Sequence, residues 1–228
     1  VGPAGTGKSS MAVQYARAAA LNGLRAAVFA FDERLPTLLM RSRSLGMRLD
    51  DLIESGDLMI QQVAPAELSP GEFAHAIRRV VEGDGETPGA RVVVIDSLNG
   101  YLNAMPEERF LTAQLHELLN YLGNKGVVTI MVVAQHGIVG FQMHTPVDTS
   151  YVADAVILFR FFEAHGQVRQ AISVVKKRTG EHERTIREYR LSSRGVEVGR
   201  PLNQFEGILT GTLKFPGQDP PPIGAADA

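Results

Sequence analysis

Gly2-Pro3-Ala4-Gly5-Thr6-Gly7-Lys8-Ser9-Ser10 stands almost at the beginning of a 228-residue chain, and its reading decides how the rest is understood. Residues 2–9 fit G-x-x-x-x-G-K-[ST] without a mismatch, the pattern of a phosphate-binding P-loop. Glycines at positions 2, 5 and 7 let the backbone curl, so that successive N–H groups point into one concavity that holds anionic oxygens. Lys8 then places a compact charge on the β- and γ-phosphates, and the Ser9 hydroxyl is set to ligate Mg²⁺. Gly2, Ala4, Gly5, Thr6, Gly7 and Ser10 complete the nucleotide-binding loop, and a helix starting at Ser9 adds its positive dipole end. A loop of this kind follows a buried strand. Only Val1 precedes it here, so the sequence reads as a fragment without its first strand or as a domain cut from a longer protein.

Composition narrows the class. Hydrophobic residues make up 44% and charged residues 21%, as in an ordinary soluble globular protein with one core. With no cysteine, neither a disulfide nor a thiolate metal site can form. No apolar run approaches a membrane span and no signal-peptide pattern opens the chain, so a cytoplasmic protein with no membrane partner is expected. The net charge of −2 argues against an obligate nucleic-acid binder, which carries a basic surplus.

Beyond the loop, Met11, Ala12, Tyr15, Ala16, Ala19 and Ala20 recur at helical spacing until Asn22-Gly23 stops the helix. Residues 25–31 (RAAVFAF) read as a buried strand ending at Asp32-Glu33, followed by a helix over 35–45 with Pro36 in its first turn. A helical turn at 49–53 and a strand at 58–63 come next. Ser69-Pro70-Gly71-Glu72 is a capping box that opens another helix. Residues 91–96 form an apolar strand ending at Asp96; Pro106 begins a leucine-rich helix ended by Gly123-Asn124; residues 127–134 form a strand closed by Gln135-His136. Helices alternating with strands that are apolar on both faces predict an α/β fold with a mostly parallel central sheet between helices. Segments 155–162, 170–177 and 183–191 then predict antiparallel hairpins added to the sheet edge. The expected domain covers residues 1–215, and 216–228, rich in Pro, Gly and Ala, reads as a disordered tail.

Three acids, one glutamine and one basic cluster are placed for chemistry. Asp96 closes an apolar strand downstream of the P-loop, the position of a Walker B acid that holds Mg²⁺ with Ser9. Asp32 and Glu33 end the strand after the P-loop helix, and strand carboxyl ends face the ligand crevice of an open α/β sheet. Either carboxylate is then placed to orient and deprotonate an attacking water or hydroxyl, with Lys8 on the phosphates. Gln135, at the end of another strand, is a candidate γ-phosphate sensor. Lys176-Lys177-Arg178, with His182 beyond, is either a solvated basic turn or, in a ring, a finger reaching a neighbour's nucleotide.

GPAGTGKS, the acidic pair in FDE, the run VVVIDSLNGY and VVKKRTGEHERTIREY together resemble a KaiC-type ATPase of the RecA superfamily, from Gly2 to about Arg200. The resemblance implies a RecA-like P-loop NTPase core, ATP and Mg²⁺ as cofactors, and a homohexameric ring with ATP at each interface. It implies that the acidic pair supplies the base, the usual Glu-Glu being Asp32-Glu33 here, and that Lys176, Arg178 and His182 act in trans. It also implies serine/threonine autokinase chemistry, with Ser150 on the phosphoserine position, Thr149 beside it and Tyr151 where the family has threonine. A KaiB-like or other signalling partner follows from the same resemblance, in clock-type or other regulation.

Two rival classes remain. A RecA- or DnaB-type DNA-dependent ATPase lines its ring centre with Lys and Arg, yet residues 99–108 and 136–152 contain none. The hairpin region instead holds Arg169, Lys176, Lys177, Arg178, Arg184, Arg187 and Arg190. A non-catalytic scaffold, in which nucleotide only assembles the ring, is the other.

Overall fold

The computed structural model describes residues 1–64, 68–103, 111–135, 153–164 and 166–209. In chain order its elements are β1 (Gly2–Pro3), α1 (Lys8–Leu21), β2 (Ala26–Ala30), α2 (Leu35–Ser44), α3 (Asp50–Glu54), β3 (Leu58–Gln62), α4 (Pro70–Glu82) and β4 (Val92–Asp96). They continue with α5 (Leu98–Asn103), α6 (Leu111–Asn124), β5 (Val128–Val132), β6 (Ala134–Gln135), β7 (Ala155–Ala164), β8 (Gln167–Lys177), β9 (Arg187–Ser192) and β10 (Gly195–Pro201).

The central sheet is parallel in the order β3-β2-β4-β5, with Ala30 opposite Asp96 and Asp96 opposite Val132. The two inner strands, β2 and β4, are buried along their whole length because both faces are covered. In β2, Ala27 and Phe29 point to one side with Val93 and Ile95 of β4. Ala26, Val28 and Ala30 point to the other with Val92 and Val94. The first face packs on Phe73 and Ile77 of α4 and on Leu115, Leu118 and Leu122 of α6. The second takes Ala12, Val13, Ala16 and Ala20 of α1, whose small side chains let the helix lie close to the sheet.

Local chemistry fixes the helix ends. Ser69 accepts from the Glu72 amide while Glu72 accepts from the Ser69 amide (2.8 Å), the capping box read from the sequence. Asn22 ends α1 by donating from its side chain to the Ala18 carbonyl at 2.7 Å. Helix α1 begins at Lys8, one residue earlier than expected, on a left-handed Gly7 at φ 82°. A side chain at Gly7 is barred twice, by that φ and by Leu191 Cδ1, which would lie 2.7 Å from a β-carbon.

Two residues of β1 pair in parallel with β6, Gly2 opposite Ala134 and Pro3 opposite Gln135. On the other side, Phe159 N donates to the Val1 carbonyl and Val1 N to the Ile157 carbonyl, both at 2.9 Å, a parallel bonding pattern that ties β7 to the loop strand. Strands β7 to β10 then form an antiparallel sheet in the order β10-β9-β8-β7. This differs from the expected hairpins in two respects. The third strand starts at Arg187, not 183, and a fourth, β10, follows it. Glu183 is held by side-chain bonds from Thr185 and Arg187, and residues 181–186 run as irregular chain instead of a strand. The expected tail and the hydroxyls of Thr149 and Ser150 lie outside the described residues. Among the described residues, no helix is long and apolar enough to cross a membrane.

Candidate nucleotide-binding site

The P-loop leaves β1 beside the end of β4. Ser9, in the first turn of α1, donates from Oγ to Asp96 Oδ1 at 3.0 Å, joining residues 87 positions apart. Lys8 Nζ donates to the Pro3 carbonyl at 2.6 Å, and Thr6 Oγ1 donates to the same carbonyl at 2.8 Å. The lysine is therefore folded back over its own loop. Burial pushes the Lys8 ammonium below its ordinary range, and the Asp96 carboxylate opposes that shift. Burial pushes Asp96 the other way, raising its carboxyl, while the Ser9 bond and the positive Arg41 pull it back.

Ser9 and Asp96 offer a hydroxyl and a carboxylate side by side, a donor set suited to a hard, octahedral ion that also takes phosphate and water. Among the described residues, no group of three or more His, Cys, Asp or Glu side chains could cage an ion. Mg²⁺ is commonly held by one or two carboxylates plus substrate phosphates, a set of which Ser9 and Asp96 would supply the protein part.

The acidic pair divides in a way the sequence did not foretell. Asp32 Oδ2 accepts from Ser97 Oγ at 2.5 Å, while both oxygens of Glu33 accept from one edge of the Arg41 guanidinium, Nε at 3.0 Å and a terminal nitrogen at 2.6 Å. Arg41 also donates to Ser10 Oγ at 2.7 Å. Phe31 seats Asp32: its amide donates to the Asp96 carbonyl (2.7 Å), and its ring packs edge-on against Phe73 and Tyr101. Gly100 lies directly under the pair, where a β-carbon would stand 2.6 Å from Phe31 Cβ and 2.8 Å from Asp32 Oδ1. Ser97 in turn holds the Gly100 amide at 3.0 Å.

Gln135 is on β6, where its Oε1 accepts from Arg160 of β7. Asn99 places that strand: its amide donates to the Ala134 carbonyl at 2.9 Å and its oxygen accepts from the Ala134 amide at 2.8 Å. On the outer side of the P-loop, Gln170 of β8 donates to the Gly5 carbonyl at 3.3 Å. A groove on the hairpin sheet borders this contact, lined in part by Phe161, Arg169, Gln170 and Tyr189.

Lys176, Arg178 and His182 are not brought to this site. Lys176 lies six residues beyond Gln170 along β8, roughly 20 Å of strand, toward the start of β7. There Lys176 donates to the Ala153 carbonyl at 2.8 Å, and Arg178 pairs with Asp154 at 3.2 Å. His182 is half-buried in the connection to β9. The residues that sequence reasoning missed are Arg41, Ser97, Asn99 and Gly100. The last three follow Asp96 in the run VVVIDSLNGY, and proximity to the strand-end acid was the available signal.

A P-loop on the end of a parallel sheet, its serine bonded to the acid of a neighbouring strand, defines a P-loop nucleotide-binding domain. The family model for the KaiC ATPase matches residues 1–203, and the chain belongs to that family, with its RecA-like core. It is 25% identical over 217 residues to the circadian clock protein KaiC3 of Synechocystis sp., covering 95% of this chain and 42% of that protein. It is 26% identical to the circadian clock oscillator protein KaiC of Acaryochloris marina and 25% identical to that of Synechococcus elongatus, each over 92% of this chain and 40% of the relative. The chain thus spans about two-fifths of the length of these relatives.

Proposed function

We propose that this domain binds Mg-ATP and hydrolyses it slowly, at a site completed by a neighbouring subunit of a homohexameric ring. The observation that carries the reading is the bond between Ser9 and Asp96, which unites the P-loop with a strand-end acid in one ion-ready pair. Loop amides and Lys8 hold the phosphates, Lys8 leaving the Pro3 carbonyl for a stronger anionic partner. Bound Mg²⁺, on Ser9 and Asp96, would neutralise charge on the β- and γ-phosphate oxygens. The acidic pair orients water against the γ-phosphorus and accepts its proton as the bond to the bridging oxygen breaks, giving ADP and phosphate. A neighbour's Lys176, Arg178 and His182 supply the remaining positive charge. Their distance from the loop of their own subunit supports action in trans.

ADP release by the purified protein tests this. Mg²⁺-dependent turnover that disappears in Lys8→Ala is expected; tight nucleotide binding with no ADP formed would leave the scaffold reading.

Kinship with KaiC proteins supports two finer expectations: self-phosphorylation at Ser150 or Thr149, and a role in clock-type or other signalling with a KaiB-like partner. Intact mass after incubation with Mg-ATP reads out the first. A gain of phosphate absent in Lys8→Ala makes the protein an autokinase, and ADP formation without that gain leaves an ATPase alone.

A further inference from the structure

Strand β2 delivers Asp32 and Glu33 together to the same crevice, and the sequence treats them as equivalent carboxylates. Their surroundings are not equivalent. Glu33 presents both oxygens to Arg41, whose Nε and terminal nitrogen match them in the two-point geometry that makes Arg–carboxylate pairs strong. Both side chains are about a quarter exposed (24% each), so solvent screens the pair only in part. The third donor of Arg41 goes to Ser10, in the first turn of α1, so the guanidinium joins the end of β2 to the phosphate-binding turn.

Asp32, by contrast, makes no ion pair among the described residues. Among the described residues it holds a single hydroxyl, that of Ser97, and its other oxygen has no such tether there. A carboxylate with both oxygens engaged by a guanidinium can turn neither of them to a water without giving up a charge-assisted bond. A carboxylate held by one neutral hydroxyl is fixed in place and keeps an oxygen to offer a water.

We infer that Arg41 is a positioning residue that divides the acidic pair: it ties Glu33 to the start of the P-loop helix and leaves Asp32 to take the proton from the attacking water. Water loses its proton to Asp32 as its oxygen bonds to the γ-phosphorus, and the electrons of the broken P–O bond leave with ADP. Glu33 then serves as an anchor for Arg41. This assignment rests on the hydrolytic reading proposed above.

Steady-state Mg-ATP turnover of the purified chain, with binding of a fluorescent ATP analogue measured in parallel, tests it. Asp32→Asn is expected to lower kcat at least 100-fold, within the range for loss of a general base, with analogue affinity kept within threefold. Glu33→Gln is expected to lose less than Asp32→Asn. Removing the clamp in the crippled enzyme is the decisive step. Asp32→Asn/Arg41→Ala should regain at least fivefold over Asp32→Asn alone, because Glu33 is released, and adding Glu33→Gln should erase that gain. A merely structural arginine would not produce a gain.

The inference is overturned if Glu33→Gln falls as far as Asp32→Asn. It is also overturned if the double variant binds the analogue normally yet stays as slow as its parent. The Glu33→Gln comparison decides the matter should Arg41→Ala fail to fold. A wild-type protein that binds the analogue and forms no ADP would instead remove the hydrolytic reading itself.

Discussion

Ser9 Oγ and Asp96 Oδ1 stand 3.0 Å apart, a hydroxyl from the first turn of α1 against a carboxylate raised on the end of β4. Asp96 is buried, and burial lifts its folded-state pKa above the unfolded 3.8. A group raised in this way contributes its stability below the unfolded value and loses it as pH climbs through the folded one, so at neutral pH the charged form weighs against folding.

Asp96→Asn should therefore raise the nucleotide-free melting temperature at pH 7.5, by about 2–4 °C for each kcal/mol recovered in a domain of this size. The gap between variant and wild type should widen as pH rises from the unfolded value and close near pH 3.8, as followed by urea denaturation across pH. The same variant should lose Mg²⁺-dependent nucleotide affinity. Higher stability with weaker binding is the signature of a functional acid placed at a structural cost.

Gly100 supplies a second expectation. A methyl group there meets Phe31 Cβ at 2.6 Å and Asp32 Oδ1 at 2.8 Å, and Phe31 cannot retreat because Phe73 and Tyr101 brace its ring. Gly100→Ala should displace Asp32 and lower kcat about 10–100-fold, since a displacement near 1 Å can cost that much in a positioned reaction. Analogue binding should be nearly unchanged, because the loop amides and Lys8 lie elsewhere.

Asn99 carries a structural expectation. Its side chain pairs with both the amide and the carbonyl of Ala134, and it is buried. Asn99→Ala should cost about 2–4 kcal/mol in urea denaturation, from the unmade bonds and the desolvated backbone groups left behind. Asn99→Asp keeps the acceptor but sets a buried carboxylate oxygen against the Ala134 carbonyl, and at neutral pH should cost at least as much as Asn99→Ala.

What the sequence disclosed and what it withheld follow from the range of the interactions concerned. The capping box at Ser69 and Glu72 is legible because all its atoms come from four consecutive residues. Asp32 and Asp96 are legible as site residues because a strand that is apolar on both faces has to end at the crevice, and each acid closes one. The role of Arg41 depends on α2 folding back until position 41 meets position 33 and Ser10, which no spacing rule specifies. Strand β10 escapes notice for a similar reason: its seven residues include two glycines and end in proline, so pairing with β9 is what makes it a strand.

Lys176 and Arg178 yield the expectation that reaches furthest. Lys176 lies near the end of β8 and Arg178 just beyond it, bonded to Ala153 and Asp154, the two residues that precede β7, and neither reaches the P-loop of its own chain. If a neighbour's nucleotide is their target, Arg178→Ala subunits have an intact P-loop and no finger, and Lys8→Ala subunits have the reverse. Each alone should turn over ATP at least tenfold more slowly than wild type. Mixed and reassembled, they should regain activity above the sum of the two, because some interfaces then join an intact loop to an intact finger. Size-exclusion chromatography with light scattering checks that mixed rings form. Mixed rings no faster than their parents would place Lys176 and Arg178 outside the catalytic site and return them to the role their present bonds describe, holding the start of β7 against the end of β8.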